Sequence, residues 1–159
     1  MRLLFQASVI AVFSATGALS QDLIFSPQDT LDCISSGQPY DGCVGSSAGA
    51  CVDANGYATV VESACFYREA EWWDGRLNAL YADVMAQARE MDAENGGGAP
   101  SQADALRDMQ RAWIAYRDAT CSFEASQWGG GTGAGPAYNA CLMYETARQA
   151  KYLETAKIN

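Results

Sequence analysis

The 159-residue chain contains no histidine. That absence removes the usual general base, the usual partner of a serine or cysteine nucleophile and the commonest metal ligand. No two cysteines are spaced C-x-x-C, so the ligand pairs of a structural zinc site are missing as well, and neither a metal nor a cofactor is expected. Basic residues are scarce, with 10 Lys and Arg against 19 Asp and Glu, a net charge of −9. A surface that acidic repels phosphate and anionic lipid, which sets nucleic acid aside, whereas it speeds encounter with a basic macromolecule. The plainer use of such charge is to keep an exported protein soluble. Beyond the first twenty residues nothing approaches the roughly 18 consecutive apolar residues of a membrane span.

What is present begins with a leader. Arg2 is followed by an apolar run from Leu3 to Phe13 and by small residues ending Ala18-Leu19-Ser20, the pattern of a secretory signal peptide over residues 1–20 with Gln21 as the new terminus. No Cys follows the apolar run, so no lipoprotein attachment site is expected. Removing Arg2 with the leader leaves nine bases against 19 acids, a net charge of −10, in a single domain of about 139 residues. The expected product is periplasmic or secreted, monomeric, and free of the membrane once cleaved. Its six cysteines, an even number in an exported chain, then argue for disulfides rather than free thiols.

The fold class read from periodicity is all-α. From Ser63 to Met91 the larger apolar residues fall at Phe66, Trp73, Leu77, Leu80, Val84, Ala88 and Met91, the three-four spacing of an amphipathic helix. Glu94-Asn95-Gly96-Gly97-Gly98-Ala99-Pro100 breaks it. Ser101 offers an N-cap for a second helix carrying Leu106, Met109, Trp113, Tyr116, Thr120 and Phe123 on its inner side, ending near Trp128. A glycine tract from Gly129 to Pro136 precedes a third helix with Tyr138, Leu142, Glu145 or Thr146, Gln149 and Leu153 inward. Short connections make such neighbours antiparallel, giving a three-helix core over residues 61–157. Upstream, residues 21–60 read as a shorter extension of two helical pieces, Pro27 to Ser35 and Asp41 to Asp53, broken at Ser36-Gly37-Gln38-Pro39. Those pieces carry few large apolar residues, so crosslinks are the plausible staple.

The cysteines flank the breaks. Cys33 and Cys43 bracket the first, Cys51 and Cys65 the second, and Cys121 and Cys141 the glycine tract. In antiparallel neighbours, positions equidistant from a turn face each other, so sequential pairing meets the Cα spacing of roughly 5.5 Å that a disulfide needs. Six cysteines allow many other connectivities, and spacing alone does not choose among them.

Within the second helix, Trp113, Arg117 and Cys121 recur every four residues and stack an indole, a guanidinium and a sulfur on one face. Such a face implies a packed partner for the Arg fork; the plain alternative is a core-facing stripe. Trp73 joins the inner stripe of the first helix while Trp72, about 100° away, lies toward a flank. There it is either an exposed anchor beside Glu69, Glu71 and Asp74 or is buried by the upstream pieces. The acidic pairs Glu69 with Glu71 and Asp104 with Asp108 lack a nucleophile or a calcium-loop spacing, so no catalytic residue is assigned. The glycine tract lacks the Lys-Ser/Thr of a phosphate-binding loop. Its Gly129, Gly130, Gly131 and Thr132, with Tyr138 beyond, are candidates for contact with a concave partner, as is Trp72.

Three blocks in order carry a resemblance. Trp73-Asp74-Gly75-Arg76-Leu77-Asn78-Ala79-Leu80-Tyr81 is similar to a pattern A-D-x-x-L-N-x-x-Y. Gln110-Arg111-Ala112-Trp113 leads to Arg117-Asp118 and Cys121, and Gly129-Gly130 precedes Cys141, Thr146 and Leu153. Together, from about Cys65 to Leu153, they resemble the LprI-like lysozyme inhibitor family of small exported domains. The resemblance implies that Leu77, Asn78, Tyr81, Gln110, Trp113, Arg117, Asp118, Thr146 and Leu153 are mainly structural motif positions. Two positions depart from the pattern: Gln149 stands where an Arg is usual, and Trp73 where Ala is usual.

The function the resemblance implies is binding and inhibition of lysozyme, a basic protein, by stoichiometric occlusion that protects the cell wall. The alternative is a helical envelope module that binds another protein or a small ligand without inhibiting anything. A third class, a hydrolase working with carboxylates alone, needs two acids about 5–9 Å apart in a cleft.

Overall fold

The computed structural model describes residues 23–156; the expected signal peptide, residues 1–20, lies outside the described residues. Six helices follow in order: α1 Gln28–Ser35, α2 Tyr40–Cys43, α3 Ser46–Asn55, α4 Thr59–Glu94, α5 Gln102–Ser126 and α6 Ala134–Thr155. No helix among the described residues is long and apolar enough to cross a membrane.

The helix α4 runs 36 residues because nothing in it breaks a helix except Gly75; it stops where Gly96 and Gly97 take left-handed backbone, φ 63° and 77°. Ser101 caps α5 by accepting from the Asp104 N–H at 3.1 Å. A second cap arrives from α4. Asp92 accepts from the Ser101 hydroxyl at 2.7 Å and from the Gln102 and Ala103 N–H groups at 2.7 and 3.1 Å, which ties the turn between the helices. Those bonds, led by the Ser101 hydroxyl, hold the Asp92 pKa below its ordinary value. A carboxyl depressed in the folded state stabilises above its unfolded pKa, and the contribution is lost as pH falls through the folded value. Acid titration of Asp92→Asn is therefore expected to show a lower melting temperature than wild type at neutral pH and a shrinking difference below about pH 4. A constant difference at all pH values would contradict the cap.

The core is an up-down-up bundle in which α5 is antiparallel to both long neighbours and α6 lies parallel to α4. Asn139 on α6 donates to the Ser63 carbonyl and hydroxyl at 3.0 and 2.9 Å near one end, and Arg76 pairs with Glu154 at 2.6 Å farther along. Trp73 and Leu77 on α4 and Met143 and Leu153 on α6 are fully buried between them. Burial of Leu77, Met143 and Leu153 contributes about 1.5–3 kcal/mol each.

The extension differs from its expected form. The piece from Asp41 to Asp53 is two helices, α2 and α3, because Val44 is extended and Gly45 is left-handed at φ 96°. A side chain at Gly45 would stand 3.2 Å from the Met143 methyl and 3.3 Å from the Tyr144 hydroxyl, so this bend both needs glycine conformation and passes close to α6. Tyr40 locks the same junction by donating from its hydroxyl to the Ala147 carbonyl at 3.0 Å, and burial pushes its phenol pKa up.

A further expectation fails on α5. Tyr116 and Phe123, read as inward, are 59% and 66% exposed. Among the described residues α6 and part of α4 are the main cover of this helix, so the apolar stripe is wider than the surface they bury. Conversely α6 buries Met143, Ala147 and Ala150 in addition to the expected Gln149 and Leu153, because it packs on both α4 and α5. Its first turn also takes up Ala134, Gly135 and Pro136 from the glycine tract. Proline is tolerated there because its missing N–H would have no helical partner.

Three disulfides join Cys33 to Cys43, Cys51 to Cys65 and Cys121 to Cys141, at Cα separations of 5.5, 5.7 and 5.3 Å. They staple α1 to α2, α3 to α4 and α5 to α6. Three such bridges belong to an oxidising, extracytoplasmic compartment.

Candidate functional site

The residue that orders one end of the bundle is Glu69, one of the acidic pair to which the sequence assigns no role, and it is fully buried. Its Oε1 accepts from the Thr30 hydroxyl at 2.9 Å, the Gly45 N–H at 2.8 Å and the Trp73 indole N–H at 3.2 Å; its Oε2 accepts from the Ala48 N–H at 2.7 Å. The carboxylate thus caps the N-terminus of α3, where free N–H groups and the helix dipole favour negative charge. Thr30 and Ser47 complete the network, each hydroxyl accepting from the other's backbone N–H at 3.0 and 2.9 Å. The signal was present in the sequence: Cys65, Glu69, Trp73 and Leu77 repeat every four residues, which places Glu69 on the inner stripe.

Above this end, α5 and α6 are joined by an uncharged loop, Gln127 to Gly133, with Gly129 and Gly130 left-handed at φ 55° and 83°. Gly129, Gly130, Gly131 and Thr132 are exposed. The loop is not slack. Gly131 N–H donates to the Trp128 carbonyl at 2.8 Å, Ala134 N–H to the Gly131 carbonyl at 3.1 Å, and the Trp128 indole lies over Gly133, where any side chain would collide with it. Trp128 stays 55% exposed at the edge of a hollow that also involves Glu62, Phe66 and Pro136. The Cys121–Cys141 bridge closes the base of this feature.

Beside the loop, a groove of about 530 Å³ opens between α4 and α5 with α6 as its floor. Its walls include Tyr67, Glu71 and Asp74 from α4 and Arg117 and Asp118 from α5; Tyr138, Leu142 and Thr146 of α6 lie at its base. Trp113, Arg117 and Cys121 share one face as expected, but only Cys121 is buried. The Arg117 fork finds its carboxylate in the next residue, with Nε and Nη2 donating to Asp118 Oδ1 at 2.9 and 2.8 Å, while its plane lies 5.0 Å from the Trp113 ring.

The other motif positions divide between core and seam. Leu77, Thr146 and Leu153 are buried. Asn78, Tyr81 and Gln110 line a second, smaller hollow on the α4–α5 seam with Arg107, Arg111 and Ile114. Gln149, the departure from the family pattern, is buried and donates to Gln110 Oε1 at 3.0 Å, a neutral link between α6 and α5. Trp73, the other departure, is the largest fully buried side chain. Trp72 is half-buried with its ring edge-on to Trp73 at 4.4 Å. Tyr138, grouped with the loop in sequence, lies inside α6 and faces the groove instead. Among the described residues no cluster of three or more His, Cys, Asp or Glu could hold a metal ion. Glu71 and Asp74, named in sequence only as neighbours of Trp72, wall the groove, and Trp128, named only as a helix end, lies over Gly133.

The comparisons with known proteins agree with the motif blocks. The chain is 32% identical over 122 residues to an uncharacterized 17.7 kDa protein from the puhA 5' region of Rhodobacter capsulatus, covering 72% of this chain and 74% of that one. It is 33% identical over 91 residues to an uncharacterized protein of Rhizobium meliloti, covering 55% and 63%. No solved structure matches it. The model of an inhibitor family rather than a catalytic one, the lysozyme inhibitor LprI, matches residues 51–153, which takes in the Cys51–Cys65 bridge, all of α4 and α5, and α6 as far as Leu153. The chain therefore belongs to the LprI lysozyme inhibitor family.

Proposed function

We propose that the protein is exported by its N-terminal leader to the periplasm or beyond, and that there it binds lysozyme one to one and blocks it without chemistry of its own. The observation that carries this reading is the braced loop from Gln127 to Gly133: uncharged, exposed, internally hydrogen-bonded and closed at its base by Cys121–Cys141. Lysozyme keeps its catalytic carboxylates in a cleft, so an inserting element should carry no carboxylate of its own. A loop ordered before binding also avoids the entropy cost of immobilising it in the complex. The acidic remainder of the leader-free chain, nine bases against 19 acids and so net −10, steers a basic enzyme toward it.

Titrating the leader-free, oxidised protein into a lysozyme assay on cell-wall suspensions is expected to abolish lysis near equimolar inhibitor. Raising the salt from about 0.05 to 0.3 M should weaken inhibition several-fold, because steering fades as the screening length shortens from its value of about 10 Å at 0.1 M. Undiminished lysis at a large excess of inhibitor would favour the alternative of an envelope module with another ligand.

A further inference from the structure

The groove beside the loop lacks an assigned occupant, and its charges do not cancel. Arg117 is neutralised by Asp118, and its guanidinium is committed to that carboxylate and to the Trp113 ring. Glu71 shares its charge with Arg68 in an exposed pair at 3.1 Å, an arrangement worth little in water. Asp74 is the exception: its hydrogen-bond partner is the Asn78 amide at 2.9 Å, and among the described residues no cation pairs with it. The α4 wall therefore presents uncompensated negative charge next to the half-exposed Tyr67 ring, above an apolar floor of Ala70 and Leu142.

We propose that this groove receives a Lys or Arg side chain of the basic protein that the neighbouring loop engages. A long basic side chain matches both parts of the site: the aliphatic stem lies along Ala70 and Leu142, and the cationic head meets Asp74 and Glu71. The phenol faces of Tyr67 and Tyr138 add attraction for a cation. The position fits one partner spanning both features. Tyr138 stands just over one turn into α6 from the loop, and Tyr67 follows Phe66, which borders the hollow under Trp128. The inference rests on the proposed function only for the identity of the partner; the chemistry of the occupant is read from the groove itself.

The test uses the full oxidised protein, isotope-labelled, titrated by NMR with N-acetyl-lysine methylamide and N-acetyl-arginine methylamide. N-acetyl-glutamine methylamide serves as the neutral control and a tri-N-acetylglucosamine as a glycan arm. Both cations should give saturable shifts centred on Gly75 and Tyr138, with affinity reduced at least fivefold by Asp74→Asn and unchanged by Asp53→Asn on α3. Shifts spread over the acidic surface, indifference to Asp74→Asn, or preferential occupation by the glycan would each overturn the proposal. Asp74→Lys supplies the second arm, and Asp74 is exposed, so the fold should not depend on it. If wild type inhibits lysozyme, this variant should inhibit at least tenfold more weakly, and equal potency would overturn the proposal. If wild type does not inhibit lysozyme, the proposed target fails while the peptide titration still decides the groove.

Discussion

Replacing Glu69 by Ala should destabilise the oxidised protein by about 3–5 kcal/mol, the loss expected when a buried, fully hydrogen-bonded charge is removed from its partners. Four donors converge on this carboxylate, from Thr30, Gly45, Ala48 and Trp73, and its removal leaves them facing an apolar void. Glu69→Gln should cost nearly as much, since the amide keeps the volume but turns a donor toward donors. The exposed neighbour provides the contrast: Glu71→Ala, which breaks only a surface pair with Arg68, should shift stability by less than about 1 kcal/mol. Urea unfolding with the disulfides intact measures all three. Hydrogen exchange should place the damage in the first turn of α3, whose N–H groups lose their cap, while α5 keeps its protection. Equal effects of Glu69→Ala and Glu71→Ala would show that the network is not what holds the extension against the bundle.

Removing the Cys121–Cys141 bridge by a double substitution to Ala is the second large effect. Freeing a loop of 20 residues costs about 3 kcal/mol in the chain-entropy picture. Its functional consequence should exceed its cost in stability. Without the bridge the base of the loop opens, ordering is required at the moment of binding, and inhibition of lysozyme should weaken by at least tenfold even at temperatures where the variant stays folded. The matching deletion of Cys33–Cys43, which closes 10 residues between α1 and α2, should cost about 2–3 kcal/mol and leave inhibition unchanged. Those elements contribute nothing to the loop or the groove. Comparable loss of inhibition in both variants would mean that general stability, not loop order, is being read.

The long helices were legible because their signals are local. Period and breakers marked α4, α5 and α6, and Ser101 marked a cap that is in fact made. What escaped was set by tertiary context. The four-residue spacing of Glu69 from Cys65 and Trp73 points inward, but the donors that permit a carboxylate there come largely from α1 and the start of α3, whose approach no local pattern encodes. Tyr116 and Phe123 extended an apolar stripe past the surface that α4 and α6 can cover. The groove joins Glu71 and Asp74 to Arg117 and Thr146, residues from three helices whose lateral placement no spacing in the chain encodes. Trp128 marks a helix end in the sequence, and its place over Gly133 depends on the fold of the loop.

Amide exchange on the oxidised protein, alone and with equimolar lysozyme, locates the contact directly. A rigid inserting loop predicts new protection at Gly130 and Thr132, whose amides make no backbone hydrogen bond in the free protein, with little change in the first turn of α1. Protection confined to α1 through α3, or none at the loop in a complex that forms, would contradict it.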